Sequence, residues 1–298
     1  MALPTFGPET AVRNEQAQAI AGFMRGFSLE ATRPPPQEIA ALAKIAPAGT
    51  QVYVSAVPYR PVAESIATAA RLRASGFEPV PHLAVRNFAS VADIDEFLAR
   101  MRGEAGTERF LVIAGDRDEP AGTLHSAIDV IDGALLRRHG VQEVGLAGYP
   151  DGHPRISQGD LDRILIEKIA AAEEIGLAVH IVTQFTFHPG ELIAWLKRLR
   201  AFGVEHPVRV GLAGPTSFVT LMRYARRCGV RATAQALARQ AGLARQLFTM
   251  WTPGTQVGAL AEAHREGQLG ALAPHFFSFG GLLPTARWAN QGAVVSDQ

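Results

Sequence analysis

The chain has 298 residues, 47% of them apolar, which is enough to bury a sizeable core and too apolar for a disordered or fibrous protein. Lys and Arg number 29 against 28 Asp and Glu. A formal charge of +1 provides no field to hold nucleic acid or an anionic membrane, so a small-molecule partner is expected. The single cysteine, Cys228, excludes an internal disulfide. The N-terminus lacks the pattern of a signal peptide, and no apolar run approaches the roughly 20 residues of a membrane span, so a cytoplasmic location is expected.

The opening residues are turn-rich, and Glu9 to Met24 then has the period of an amphipathic helix, with Ala17, Ile20, Phe23 and Met24 on one face. It is expected to precede the fold as a lid, residues 1–25 forming an N-terminal extension. From Gly26 onward, eight β-like runs alternate with stretches of helical period: 26–31, 51–57, 78–85, 109–115, 143–150, 179–185, 207–214 and 274–281. Ser90 marks a helix start, while Gly140, Gly176 and Gly203 fall just past helix ends. Extra helical stretches, Ala232 to Phe248 and Gln256 to Glu266, lie before the eighth run. Eight β-then-α units predict an α/β fold, a (β/α)8 TIM barrel forming one catalytic domain over residues 1–298. The fragment VGLAG occurs at 144–148 and again at 210–214, by half-barrel repetition or because two buried strands share small and branched residues.

In such barrels chemistry sits where the strands end. Glu30 closes the first strand, His82 lies in the third, Gly115 and Asp116 follow the fourth, Tyr149 and His153 the fifth, and Gln184 the sixth. Singly, each reads as well as a cap or turn residue. Together at one end, Glu30 and Asp116 form a carboxylate pair able to divide proton donation from electrostatic stabilisation, and Gln184 offers an amide edge to a heterocycle. The nine histidines show no metal-ligand spacing and no metal site is expected. Cys228 reads as packing. No GxGxxG follows a strand, so barrel loops must hold any dinucleotide. The segment 211–217 and the pair Gly280-Gly281 also permit a phosphate-binding barrel enzyme.

Six segments in order give a resemblance to the catalytic domain of bacterial methylenetetrahydrofolate reductases: SLEATRPP, VPHLAVRN, LVIAGDRDEPAG, YPDGHP, VTQFTF and PTSF. The resemblance implies interconversion of 5,10-methylenetetrahydrofolate and 5-methyltetrahydrofolate with NAD(P)H through FAD, and it is compatible with a homo-oligomer. It makes Glu30 the acid that opens the five-membered ring and puts Asp116 near flavin and pterin. Gln184 and Phe218 would contact the substrate, while His82, Gly115, Asp116, Tyr149, His153, Asp160 and Lys168 would line the flavin. The family's Arg before the Gly-Asp pair is Ala114 here, its Thr at the end of the second strand is expected at Val57, and its aromatic pair after the acid is Ala31-Thr32. These departures imply weakly held FAD, with a flavin-independent folate reductase as the extreme. A binding protein that has lost chemistry is disfavoured by the retention of both carboxylates.

Overall fold

A computed structural model describes residues 8–131, 133–230 and 250–293. Eight parallel strands close into a barrel: β1 (Ser28–Ala31), β2 (Gln51–Val54), β3 (Glu78–Ala84), β4 (Arg109–Ile113), β5 (Glu143–Gly148), β6 (Ala178–Thr183), β7 (Val208–Ala213) and β10 (Leu272–Phe277). Two short strands, β8 (Thr216–Ser217) and β9 (Met250–Trp251), pair antiparallel above it. Six barrel strands fall within their predicted runs, while β6 begins one residue and β10 two residues before theirs. The ring closes where β1 pairs with both β2 and β10, Leu29 lying opposite Val52 on one side and Phe276 on the other.

Helices follow the strands because their sequences supply starts and stops. Ser90 caps the helix Val91–Ala105 with a reciprocal capping box to Asp93. Gly176 ends the helix region after β5 in a left-handed conformation, φ 72°, as its sequence position anticipated. The helix expected at 256–266 spans Gly254–Arg265, whereas the predicted stretch Ala232 to Phe248 lies outside the described residues except for its approach at Val230. Among the described residues no helix is long and apolar enough to cross a membrane.

The expected lid is a correction. The first helix, Pro8–Met24, buries Ala21, Phe23 and Met24 but leaves Ala17 exposed. Phe23 meets His264 at 6.2 Å, and Met24 packs beside Gly292. Both contacts are at the ends of helices next to the strand N-termini, so this helix anchors the closed end of the barrel, away from the mouth. Its apolar face is satisfied there, and nothing is left to draw it over the site.

The main core lies between strands and helices, and a smaller apolar layer, Tyr53, Val80, Leu111 and Val182, fills the barrel's centre. The two VGLAG copies have a packing reason. An added Cβ on Gly145 would lie 2.7 Å from His180 Nε2, and one on Gly211 would lie 2.2 Å from the Thr183 carbonyl oxygen. Gly148 receives Trp195 and Gly214 receives Thr285 in the same close way. Small residues recur because neighbours occupy the space.

Candidate active site

Glu30 leaves β1 at the mouth of the barrel and is mostly enclosed, its side chain 15% exposed. The Ser55 hydroxyl donates to its Oε1 at 2.7 Å, while His275 Nε2 stands 3.4 Å and His82 Nε2 3.8 Å from Oε2. The side chains come from three strands because β1 pairs with β2 and β10, and β2 pairs with β3. The other ring nitrogen of His275, Nδ1, is 2.9 Å from Ser28 Oγ. With Nδ1 on the Ser28 hydroxyl, His275 Nε2 faces Glu30 and, when it carries a proton, donates to the Glu30 carboxylate.

Burial raises the Glu30 carboxyl, but His82, His275 and Ser55 favour the carboxylate, and the balance holds it below its usual range. Burial pushes both imidazoles down, opposed by Glu30 in each case. These groups share their protons, and their titration belongs to the cluster. The negative charge of Asp116, exposed after β4, acts on His82 in the same direction as that of Glu30. Burial, with Asp116 beside it, also raises the Tyr149 phenol.

Beneath this cluster runs a second buried line. Tyr53 Oη lies 2.7 Å from His180 Nε2, His180 Nδ1 lies 2.8 Å from Glu143 Oε1, and Arg109 Nε donates to Glu143 Oε2 at 2.5 Å. The Tyr53 ring meets His275 edge-on at 4.6 Å, so this line supports the floor of the site. Hydrogen bonding from His180 and from Arg109, against the effect of burial, holds Glu143 down at about 2.

The remaining predicted residues differ in how ready they are for a ligand. Gly115 has φ 99°, and an added Cβ would meet Ala84 Cβ at 3.0 Å, so only glycine suits this turn before Asp116. Gln184 follows β6, but its Oε1 already accepts the Phe185 N–H at 3.0 Å, leaving its amide NH2 as the freer part of the expected edge. Phe218 opens the helix Phe218–Arg227 and is partly buried. His153 packs edge-on to Tyr149 at 5.4 Å, and its Nδ1 accepts the Arg155 N–H. Asp160 is exposed and engaged by Ser157 and Arg163 at the start of its helix. Lys168, two turns on, has no ion-pair partner among the described residues, and burial lowers its ammonium. Cys228 is partly buried beside an apolar cluster, its thiol pushed up to about 11 by burial, which agrees with packing. No group of three or more His, Cys, Asp or Glu able to hold a metal occurs among the described residues.

Two expectations change. The hydroxyl thought lost at Val57 is present: β2 ends at Val54, Ser55 follows it on Glu30, and Val57 lies farther along the loop. The glycines that suggested a phosphate cradle are filled by the protein itself, an added Cβ on Gly280 lying 2.0 Å from the Pro215 carbonyl oxygen and one on Gly214 2.5 Å from Thr285 Oγ1.

Residues 37–245, more than half of the chain, match the family model described as methylenetetrahydrofolate reductase. The chain belongs to the methylenetetrahydrofolate reductase family. It is 28% identical over 159 residues to the 5,10-methylenetetrahydrofolate reductase of Pectobacterium carotovorum subsp. carotovorum, covering 53% of this chain and 50% of that protein. It is 26% identical over 160 residues to methylenetetrahydrofolate reductase 2 of Saccharomyces cerevisiae, covering 50% of this chain and 26% of that protein. The matches thus span half or less of these relatives. Among solved structures, an uncharacterized protein from Clostridium thermocellum that binds two copies of 5-methyl-5,6,7,8-tetrahydrofolic acid is similar in fold, with a TM-score of 0.59 over 93% of this chain and 96% of its own, at 13% identity.

Proposed function

We propose that this chain interconverts 5,10-methylenetetrahydrofolate and 5-methyltetrahydrofolate, using a reduced pyridine nucleotide and weakly held FAD. The observation that carries the proposal is the enclosed Glu30 carboxyl, bridged by Ser55 and faced by two imidazoles, in a chain of this family. In the reductive direction the methylene carbon gains a hydride, its bond to N10 breaks, and N10 takes a proton. Glu30 delivers that proton and His275 shares it beforehand; in reverse Glu30 accepts it. Asp116 lies beside His82 and Tyr149, where it places negative charge near the heterocycle, and the Gln184 NH2 orients it.

FAD, when bound, supplies a two-electron carrier between nicotinamide and folate. His82, Gly115, Asp116, Tyr149, His153, Asp160 and Lys168 are the residues that would hold it, the unpaired Lys168 ammonium serving its phosphates. Ala114 removes one guanidinium from this set, and that observation favours a second reading, direct hydride transfer from the nucleotide without flavin. Anaerobic oxidation of methyltetrahydrofolate by the oxidised pyridine nucleotide, with and without added FAD, tests both. Activity that rises with FAD supports the first reading, undiminished FAD-free activity the second, and no folate oxidation under either condition contradicts both.

A further inference from the structure

A cleft of about 660 Å3 opens between the loops that follow β1, β2, β3 and β4. Ser55 and His82 form its inner wall, and the outer wall carries Arg33, Arg60 and Arg117, with Glu64 their one acidic neighbour in the lining. Arg33 pairs with Glu64 at 2.8 Å. Arg60 and Arg117 have no carboxylate partner among the described residues; Arg117 instead lies over the Tyr59 ring, 4.5 Å from its centroid. The chain pays for this arrangement in backbone strain: Arg33 and Tyr59, at φ 54° and 63°, are the two non-glycine residues in the left-handed region among those described, and both line the cleft. Asn87, also in the lining, has a buried Oδ1 with no hydrogen-bond partner. The lining also includes the apolar side chains Phe88 and Val54.

We infer that this cleft binds the aminobenzoyl-glutamate tail of the folate, its carboxylates meeting Arg60 and Arg117. The inference rests on the role proposed above for Glu30. If Glu30 exchanges a proton with N10, the aryl group bonded to N10 must start within reach of Glu30. Ser55 both hydrogen-bonds Glu30 and lines the cleft, so the cleft is a path that begins at that point. Its lining, polar at Ser55 and His82, apolar at Phe88 and cationic at Arg60 and Arg117, offers surfaces for amine, benzoyl ring and glutamate. Two guanidiniums suit two carboxylates, each as a charge-assisted hydrogen-bonding pair.

Equilibrium titration of the FAD-supplemented protein at low salt tests the inference with three probes: 5-methyltetrahydrofolate, its analogue lacking the glutamate, and NADH. The expected result for Arg60→Ala with Arg117→Ala is roughly tenfold or more weaker binding of 5-methyltetrahydrofolate, the scale of a lost charge-assisted contact. Binding of the glutamate-free analogue and of NADH should be unchanged, and Arg→Lys at both positions should restore part of the loss. Arg60→Gln alone, on an exposed loop, serves if the double variant does not fold. Unchanged 5-methyltetrahydrofolate affinity overturns the inference, as does a loss confined to NADH or one equal for the glutamate-free analogue. Should the unmutated protein bind 5-methyltetrahydrofolate through these arginines without oxidising it, the catalytic reading fails and the cleft assignment stands.

Discussion

At the scale of single residues, each expected effect follows from what the side chain can do beside Glu30: a group that exchanges a proton should change turnover, and one that only orients a ligand should change binding. Glu30, Asp116 and Gln184 were legible because each closes or follows a strand, a position visible in the local pattern. Ser55 and His275 were not singled out, since their importance comes from pairing across the barrel; His275 is 245 residues from Glu30 in sequence. Gln184→Ala is expected to raise the Michaelis constant for folate or nicotinamide more than it lowers turnover, because the side chain orients a ligand and exchanges no proton; steady-state kinetics with each substrate varied check this. Ser55 supplies a hydroxyl at the end of β2, so Ala114 remains the main polar loss in the proposed flavin site. One charge-assisted contact is worth about 1 to 3 kcal/mol, or about one to two orders of magnitude in affinity. The protein should purify with substoichiometric flavin, and Ala114→Arg should tighten FAD in an equilibrium titration. Stoichiometric tight FAD in the unmutated protein would contradict this.

At the scale of elements, the strands were legible through short apolar runs with turn residues between them, and the helices through their caps. The role of the first helix was not, because an amphipathic period shows that a face will be buried without showing against what. In the same way the VGLAG repeat showed small residues but hid their contacts. Gly211 illustrates the consequence. A methyl group there would press on the end of β6 at the Thr183 carbonyl and lie 2.9 Å from the Gln184 carbonyl carbon. Gly211→Ala is therefore expected to cost about 1 to 3 kcal/mol in urea unfolding, the usual scale of overpacking. By displacing the backbone that carries Gln184 it should also weaken ligand binding; unchanged stability would show that β6 and β7 separate freely.

At the scale of the whole molecule, a chain of nearly neutral charge stores paired charge inside its barrel, and this couples folding to pH. Glu143 is held at about 2, below its ordinary 4.5, by His180 and Arg109. A depressed folded value means that stabilisation is present above the unfolded value and is lost as pH falls from about 4.5 towards 2; at about 1.4 kcal/mol per unit it is at most roughly 3 kcal/mol. Denaturant titrations across this range should show stability falling with acid, and Glu143→Gln should be less stable at pH 7 with a shallower acid slope. An unaltered slope would remove Glu143 from the account. The same barrel presents Glu30 at its mouth, and one comparison tests its proposed role as proton carrier most directly: anaerobic oxidation of methyltetrahydrofolate by the oxidised pyridine nucleotide, with FAD added, by the unmutated protein and by Glu30→Gln. The expected result is folate binding largely retained and turnover slowed roughly a hundredfold or more, the scale of a lost general acid–base group. Equal turnover by a folded Glu30→Gln protein would contradict it.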